Sequence, residues 1–323
     1  MKTFFLFCTF LISLTSVAQI SSYFNGDAKD FIELKSRNLI VETLEENPKV
    51  LKDLEKPKNA EKLIAYRRII KLYNQEIISY AKKYWILNTN IEFKSESEVE
   101  KLKKENNKSF AILRNLKLND IDFDFHSDLF VSALVYTPIE AKKSKPYSQA
   151  YFPVVSASDK FLLTEADYKF MFTVLQSNLE YIIENKSNEN SEDYLRKMAE
   201  KNCPLVKNKT LLVKESLLHS STTKEKCLKQ YDGKLQLVSE DELNKAFVEK
   251  QKDKVVMFSV PYEIAKGGFG PIGQSTMTSY KVIVDCETNK ILYMFAPKGF
   301  AVMGQNLCQF MIEKDFENIK KCK

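Results

Sequence analysis

Glycine and proline are both scarce in this chain, at 8 and 9 of 323 residues. That scarcity disfavours an all-β sandwich, which needs many tight turns. Helices with a modest sheet fit the composition better. No C-x-x-C pair is present, and neither are G-x-S-x-G, H-E-x-x-H or G-x-x-x-x-G-K-[ST]; their absence weighs against an enzyme built on familiar machinery. After the first residues no apolar run reaches about 18 residues, the length a membrane-spanning helix needs. A basic arm is missing too. The 49 basic and 43 acidic residues are interspersed and leave a net charge of only +6, which argues against nucleic acid as a partner.

What is present begins with an address. Met1-Lys2-Thr3 followed by Phe4 to Ile12 gives a short positive segment and an apolar one, and Ser16-Val17-Ala18 places small residues where a signal peptidase reads. Cleavage before Gln19 is expected, and no Cys follows that point to carry a lipid anchor. The mature chain is therefore expected to be secreted or periplasmic. This leader, with the many Lys, Asn and Ile residues, resembles exported proteins of flavobacterial type. The resemblance implies a destination and carries no functional residues.

The chain is organised around Ser95 to Leu113, SESEVEKLKKENNKSFAIL, which returns as Ser239 to Ser259, SEDELNKAFVEKQKDKVVMFS. In each copy a Ser stands three residues before a Glu (Ser95 and Glu98, Ser239 and Glu242), the pattern of a reciprocal helix cap. A charged helix should follow. Next comes a dense apolar run, Phe110 to Leu113 or Val255 to Phe258, short enough for a strand buried on both faces.

Other elements extend the echo. Asn38 to Val41 and Thr210 to Val213 read as first strands, with Asn47-Pro48 and the pair Thr222 and Glu225 as helix starts. Asn59 to Tyr84 carries Leu63, Tyr66, Ile69, Ile70, Tyr73, Ile77, Tyr80, Ala81 and Tyr84 on one face. A core seam explains its tyrosines better than a stacking platform, because aliphatic residues share the stripe. Thr164 to Asn185 is a second amphipathic helix, lined on one side by Tyr168, Met171, Phe172, Leu175, Leu179, Ile182 and Ile183. The last helix should carry Cys308, Ile312, Phe316 and Ile319.

Each half thus reads β-α-β-α-β-β-β-α. The expected fold class is α/β, with α+β as the alternative: two tandem related domains, each a small mixed sheet flanked by helices. The expected division is a signal peptide over 1–18, a first repeat domain over 19–188, a linker with a short helix over 189–206 and a second repeat domain over 207–323. The coarse order is similar to a thioredoxin-like unit, but the missing C-x-x-C removes the redox implication.

Candidate chemistry is confined to a few places. Gly268, Gly270 and Gly273 form a literal G-x-G-x-x-G, but the segment after it reads as a strand, whereas a dinucleotide fingerprint opens a helix. The expected role is a flexible loop; a ligand-contacting flap would add Tyr262 and Lys266. At the corresponding place in the first half Asp120, Asp122, Asp124 and His126 alternate with apolar residues, and in an extended strand they share one side. They are the candidate metal ligands for a divalent cation. The segment departs from the EF-hand pattern at Phe125 and Val131, and a solvated edge strand is the favoured reading.

His126 and His219 are the only histidines, and His219 reads as a loop or helix-start residue rather than a base. The five mature cysteines, Cys203, Cys227, Cys286, Cys308 and Cys322, all lie in the second half and leave at least one thiol unpaired. One or two structural bridges are expected, with no resident cofactor. The leading functional expectation is an exported binding or scaffold protein whose partner is a small ligand or an envelope or extracellular protein. The alternative is an exported hydrolase assisted by a cation at Asp120, Asp122, Asp124 and His126.

Overall fold

The computed structural model describes residues 24–25, 28–115, 131–140, 149–155, 163–185, 191–265, 276–295 and 310–320. Among them no helix is long and apolar enough to cross a membrane. The first half contains β1 (Phe24–Asn25), α1 (Ala28–Ser36), β2 (Asn38–Thr43), α2 (Pro48–Leu54), α3 (Ala60–Tyr84), β3 (Ile91–Ser95), α4 (Glu96–Lys104), β4 (Phe110–Asn115), β5 (Val131–Pro138), β6 (Gln149–Val155) and α5 (Glu165–Asn185). The second contains α6 (Ser191–Lys207), β7 (Thr210–Lys214), α7 (Lys224–Gln230), β8 (Lys234–Val238), α8 (Glu240–Val248), β9 (Lys254–Ala265), β10 (Thr276–Asp285), β11 (Ile291–Phe295) and α9 (Glu313–Lys320).

These strands form two mixed sheets. Sheet 1 runs β1-β6-β5-β4-β2-β3 and sheet 2 runs β11-β10-β9-β7-β8. Without β1 the orders are identical, and so are the directions: the first three strands of each half are parallel and the last two antiparallel. Register agrees as well. Asn38 lies opposite Phe110 and Thr210 opposite Lys254; Ile112 lies opposite Thr137 and Val256 opposite Val284. Two copies of one folding unit account for all of this.

The matched helices α4 and α8 begin and end alike. Ser95 and Ser239 each accept from the amide three residues on, while Glu98 and Glu242 reach back to the serine amides at 2.7 and 2.9 Å. At the other end Asn106 and Lys250 take φ of 53° and 57°. The Asn107 amide then bonds the Leu102 carbonyl and the Gln251 amide the Ala246 carbonyl, at 3.2 and 3.0 Å, which closes both helices with a Schellman turn. A partly buried ion pair recurs beside the first strand: Arg37 holds Glu140 at 2.6 Å in one half and Lys209 holds Asp285 at 2.5 Å in the other.

The units stack head to tail. Leu39, Val41, Leu113 and Tyr136 on one face of sheet 1 are covered by α1, α3 and α5. Their counterparts Leu211, Val213, Met257 and Ile283 on sheet 2 are covered by α6, α7 and α9, whose Val206, Cys227 and Phe316 join the same cluster. On the opposite face Ile40, Val99 and Ile112 form a small cluster over α4, whereas their counterparts Leu212, Leu243 and Val256 belong to the large core that contains α5. Helix α5 therefore packs on both sheets.

That position changes the expected one-sided pattern of α5. Ala166, Tyr168, Lys169, Phe170, Met171, Phe172, Val174, Leu175 and Gln176 are all buried, so the helix is enclosed on every side over its first half. Phe170 stacks on Phe258 of β9 at 4.1 Å, and Phe172 meets Trp85 edge-on at 6.0 Å in the first half. Gln176 accepts from the Ile86 and Leu87 amides and donates to the Tyr84 carbonyl, pairing backbone groups that leave α3. Lys169, 1 % exposed, donates to the Phe247 carbonyl at the end of α8 and lies over the Phe247 ring. The expected tyrosine seam is real: Tyr66 and Tyr73 are buried and Tyr80 packs on Tyr168.

Three local expectations are corrected. Where a linker with a short helix was expected over 189–206, helix α6 runs unbroken from Ser191 through Pro204 to Lys207; it lies along β11, and Val206 is fully buried. The cap of α7 is Thr223, which accepts from the Lys226 amide, and not Thr222, which is buried. Ile312 precedes α9 and is exposed; Phe316 and Ile319 are buried as expected, and Cys308 lies outside the described residues.

Two measurements probe this frame. Ser239→Ala removes the side-chain half of the α8 cap and should cost about 1 kcal/mol in urea unfolding. Burial, with Lys250 adding to it, pushes Lys169 down to about 8, and burial pushes Glu76 beside Tyr168 up to about 7. A depressed ammonium destabilises the native state at low pH, and that loss fades as pH rises from about 8 to the ordinary 10.5. A raised carboxyl has the opposite sense, with stability lost between the ordinary 4.5 and about 7. Relative to Lys169→Met the wild type should gain stability across the upper window, and relative to Glu76→Gln it should lose stability across the lower one. Differences flat with pH contradict both assignments.

Candidate functional site

In an open α/β sheet, ligands settle outside the carboxyl ends of parallel strands, where successive crossovers leave toward opposite faces. Both sheets have such a point. In sheet 1, α3 returns over the face of Leu39 and Val41, and α4 over the face of Ile40 and Ile112. In sheet 2, α7 covers Leu211 and Val213 while α8 covers Leu212 and Val256.

The loops that leave the first strands differ between halves. After β2 the chain is stitched down: Asn74 holds the Leu44 amide and carbonyl at 2.8 and 2.9 Å, and Glu45 accepts from the Ser97 amide at 2.8 Å. Tyr66 accepts from the Asn47 amide at 2.7 Å, and Arg67 pairs with Glu46 at 3.0 Å. After β7 the chain takes a longer path before α7 and leaves a cleft of about 540 Å³. Its walls carry Glu215, His219, Ser220, Thr222, Thr223 and Glu225, with Leu218 and Leu237 supplying apolar surface.

The cleft is braced from behind. His219 donates its amide to the Met311 carbonyl at 3.0 Å, Met311 returns its amide to Leu217 at 2.6 Å, and the imidazole meets the Phe310 ring edge-on at 6.1 Å. The Ser221 amide donates to His219 Nδ1 at 3.3 Å, so the neutral ring carries its proton on Nε2. Ser221 Oγ lies 2.7 Å from the same Nδ1. Among the described residues no carboxylate is hydrogen-bonded to His219, so this is a local turn around a histidine rather than a charge-oriented nucleophile and base.

Residues 310–312, which form that brace, are held by a buried cation. Lys281, 0 % exposed, donates to the Phe310 carbonyl at 2.9 Å and to Ser259 Oγ at 2.6 Å. Asp315 accepts from the Ile312 amide at 2.9 Å, and burial pushes its carboxyl above the ordinary range while Lys281 opposes the shift. Nothing in the sequence singled out Lys281 or Asp315. A lysine inside an alternating strand reads as solvent-facing, and only the segment folding over it from a distance buries it.

The residues predicted from sequence fall unevenly. Tyr262 is in β9 with its backbone opposite Thr278. Lys266, Gly268, Gly270 and Gly273 lie outside the described residues, as do Asp120, Asp122, Asp124 and His126. The two segments do occupy matching places, since 116–130 joins β4 to β5 and 266–275 joins β9 to β10. A strand follows the glycines, as expected, so no helix start is offered to a pyrophosphate. Among the described residues no three His, Cys, Asp or Glu side chains are grouped to hold a metal ion.

Cys203 is disulfide-bonded, in line with the expected bridge, while Cys227 and Cys286 are free and buried. Burial pushes their thiols up to about 11 and about 12, so neither is a reactive thiolate. No family model, curated protein or solved structure matches this chain.

Proposed function

We propose that this chain is an exported binding protein and that the cleft after β7 receives its ligand. One observation carries the reading: the second copy of the unit opens a cleft of about 540 Å³ at its strand ends, where the first copy is closed by hydrogen bonds. Hydroxyls, carboxylates, the Lys224 ammonium and an imidazole set over Leu218 and Leu237 are the lining of a site that orients a small molecule or a short partner segment. We infer that Tyr262 of β9, with Lys266, Gly268, Gly270 and Gly273 beyond it in sequence, would contribute contacts to a larger ligand. Export rests on the leader, so the working form begins at Gln19 in the periplasm or outside the cell.

Screening the mature chain against a metabolite set by thermal unfolding tests this directly. A ligand at about one hundred times its Kd adds about 2.7 kcal/mol, a shift of several degrees. Ser220→Arg, at an exposed position of the cleft wall, puts a long cation into the cleft and should abolish the shift while leaving the unliganded Tm within about a degree or two, as for a surface change. Hits that survive Ser220→Arg would place the ligand elsewhere. When the chain is expressed with its own leader, mass spectrometry of the exported product should give Gln19 as the first residue; an intact Met1 terminus would remove the assignment of compartment.

A further inference from the structure

The cleft after β7 reaches the margin of its sheet, and that margin is a bare strand. Sheet 2 ends at β8, and among the described residues no further strand pairs with it. The Thr210 amide bonds the Asp253 carbonyl beside β9, so Thr210 and Leu212 turn their backbone to β9 while Leu211 and Val213 turn theirs to β8. Leu211 lies opposite Leu235 and Val213 opposite Leu237. The Gln236 backbone therefore faces β7, and the amides and carbonyls of Leu235 and Leu237 face away from it. Those groups have no partner among the described residues. Leu237 also lines the cleft, so open backbone and open side-chain space meet at one residue.

The comparable margins are different. At the far side of sheet 2, α6 lies along β11, and Asn202 donates to the Ile291 carbonyl at 3.3 Å. In sheet 1 the counterpart of β8 is β3, and Phe93 stands where Leu237 stands. The β3 backbone is equally open, but its side chains are not. Lys82 of α3 sits over the Phe93 ring, 5.2 Å from its centre, and Glu92 pairs with Lys94 at 2.9 Å along the strand, charges that discourage edge pairing. In place of that 25-residue helix the second copy has α7, of 7 residues, and Leu237 is left half-buried at the cleft.

We propose, on the reading of this cleft as the ligand site, that its ligand is a short extended peptide which pairs with the outer edge of β8 and carries an apolar and a basic side chain in alternate positions. In a strand added to an edge, main-chain hydrogen bonds supply affinity, and every second side chain falls on the same face to supply selectivity. The peptide residue beside Leu237 shares the face of Leu237 and Leu218, which suits an apolar side chain. Glu215 and Glu225 outnumber Lys224 on the walls, and the nearby Lys214 and Lys226 are already paired with Glu240 and Glu313 at 2.6 and 3.4 Å. A basic residue next in the same row is thereby favoured over an acidic one.

The probe is a library of random pentapeptides, acetylated and amidated at their ends, panned on the mature chain, with the strongest binder resynthesised. It should carry Lys or Arg two positions from an apolar residue. At saturation it should slow hydrogen exchange of the Leu235 and Leu237 amides at least tenfold and leave the Ile91 and Phe93 amides of β3 unchanged. Methylating one alternate set of its backbone nitrogens should weaken it at least tenfold, and so should Ser220→Arg, with an unchanged Tm as the check on folding. Binding lost in Ser220→Arg but indifferent to methylation of either set, with Leu235 and Leu237 unprotected, would keep the cleft as a ligand site and overturn the strand pairing. Binding that ignores Ser220→Arg, equal protection of Ile91 and Phe93, enrichment of acidic residues, or a library without binders would each overturn the proposal. A metabolite whose Tm shift is lost in Ser220→Arg would in that last case leave the cleft standing as a small-molecule site.

Discussion

Everything in this molecule leans on one helix that has no outside. Helix α5 is buried around its whole circumference from Ala166 to Gln176, with Phe172 against Trp85 on one side and Phe170 against Phe258 on the other. Burying a Phe-sized side chain is worth about 1.5–3 kcal/mol, and the two phenylalanines of this helix contribute to different sheets. The duplicated units are therefore not beads on a string: Leu39 and Val41 of the first sheet and Leu212 and Val256 of the second belong to one apolar cluster. Inside that cluster Gln176 pairs the Ile86 and Leu87 amides, which leave α3, and Lys169 donates to the Phe247 carbonyl at the end of α8.

Stacking in the same direction places chemically identical faces in different surroundings. The face that holds Val99 and Ile112 in one unit holds Leu243 and Val256 in the other, yet only the second is pressed against a neighbouring helix. Sequence divergence between the copies follows that difference: Phe247, Phe258 and Val284 on the covered face stand where Lys103, Arg114 and Thr137 stand on the other. Loops diverge as well, closed after β2 and open after β7. A repeated frame thus carries unlike loops at matching strand ends.

Much of the architecture was legible from residues alone. Capping boxes at Ser95 and Ser239 are local chemistry, and both are present with the predicted partners. The strands Phe110–Asn115 and Lys254–Ala265 and the long helix ending at Tyr84 follow from periodicity and length. Site chemistry was far less legible. Lys281 of β10 and Asp315 of α9 stand far apart in the chain, and a strand lysine looks solvent-facing until its neighbours are known. Helix α5 shows the same limit: a face that reads as polar-tolerant from Lys169 and Gln176 is enclosed because a second sheet lies over it.

The direction of stacking also sets what each outer face can receive. A repeat that docks the helical layer of one unit onto the reverse face of the next has no two-fold closure, so in principle it propagates like a solenoid. The internal junction supplies Phe247, Phe258 and Val284 where sheet 1 holds Lys103, Arg114 and Thr137, so the outer face of sheet 1 does not offer another helical layer the same apolar seat.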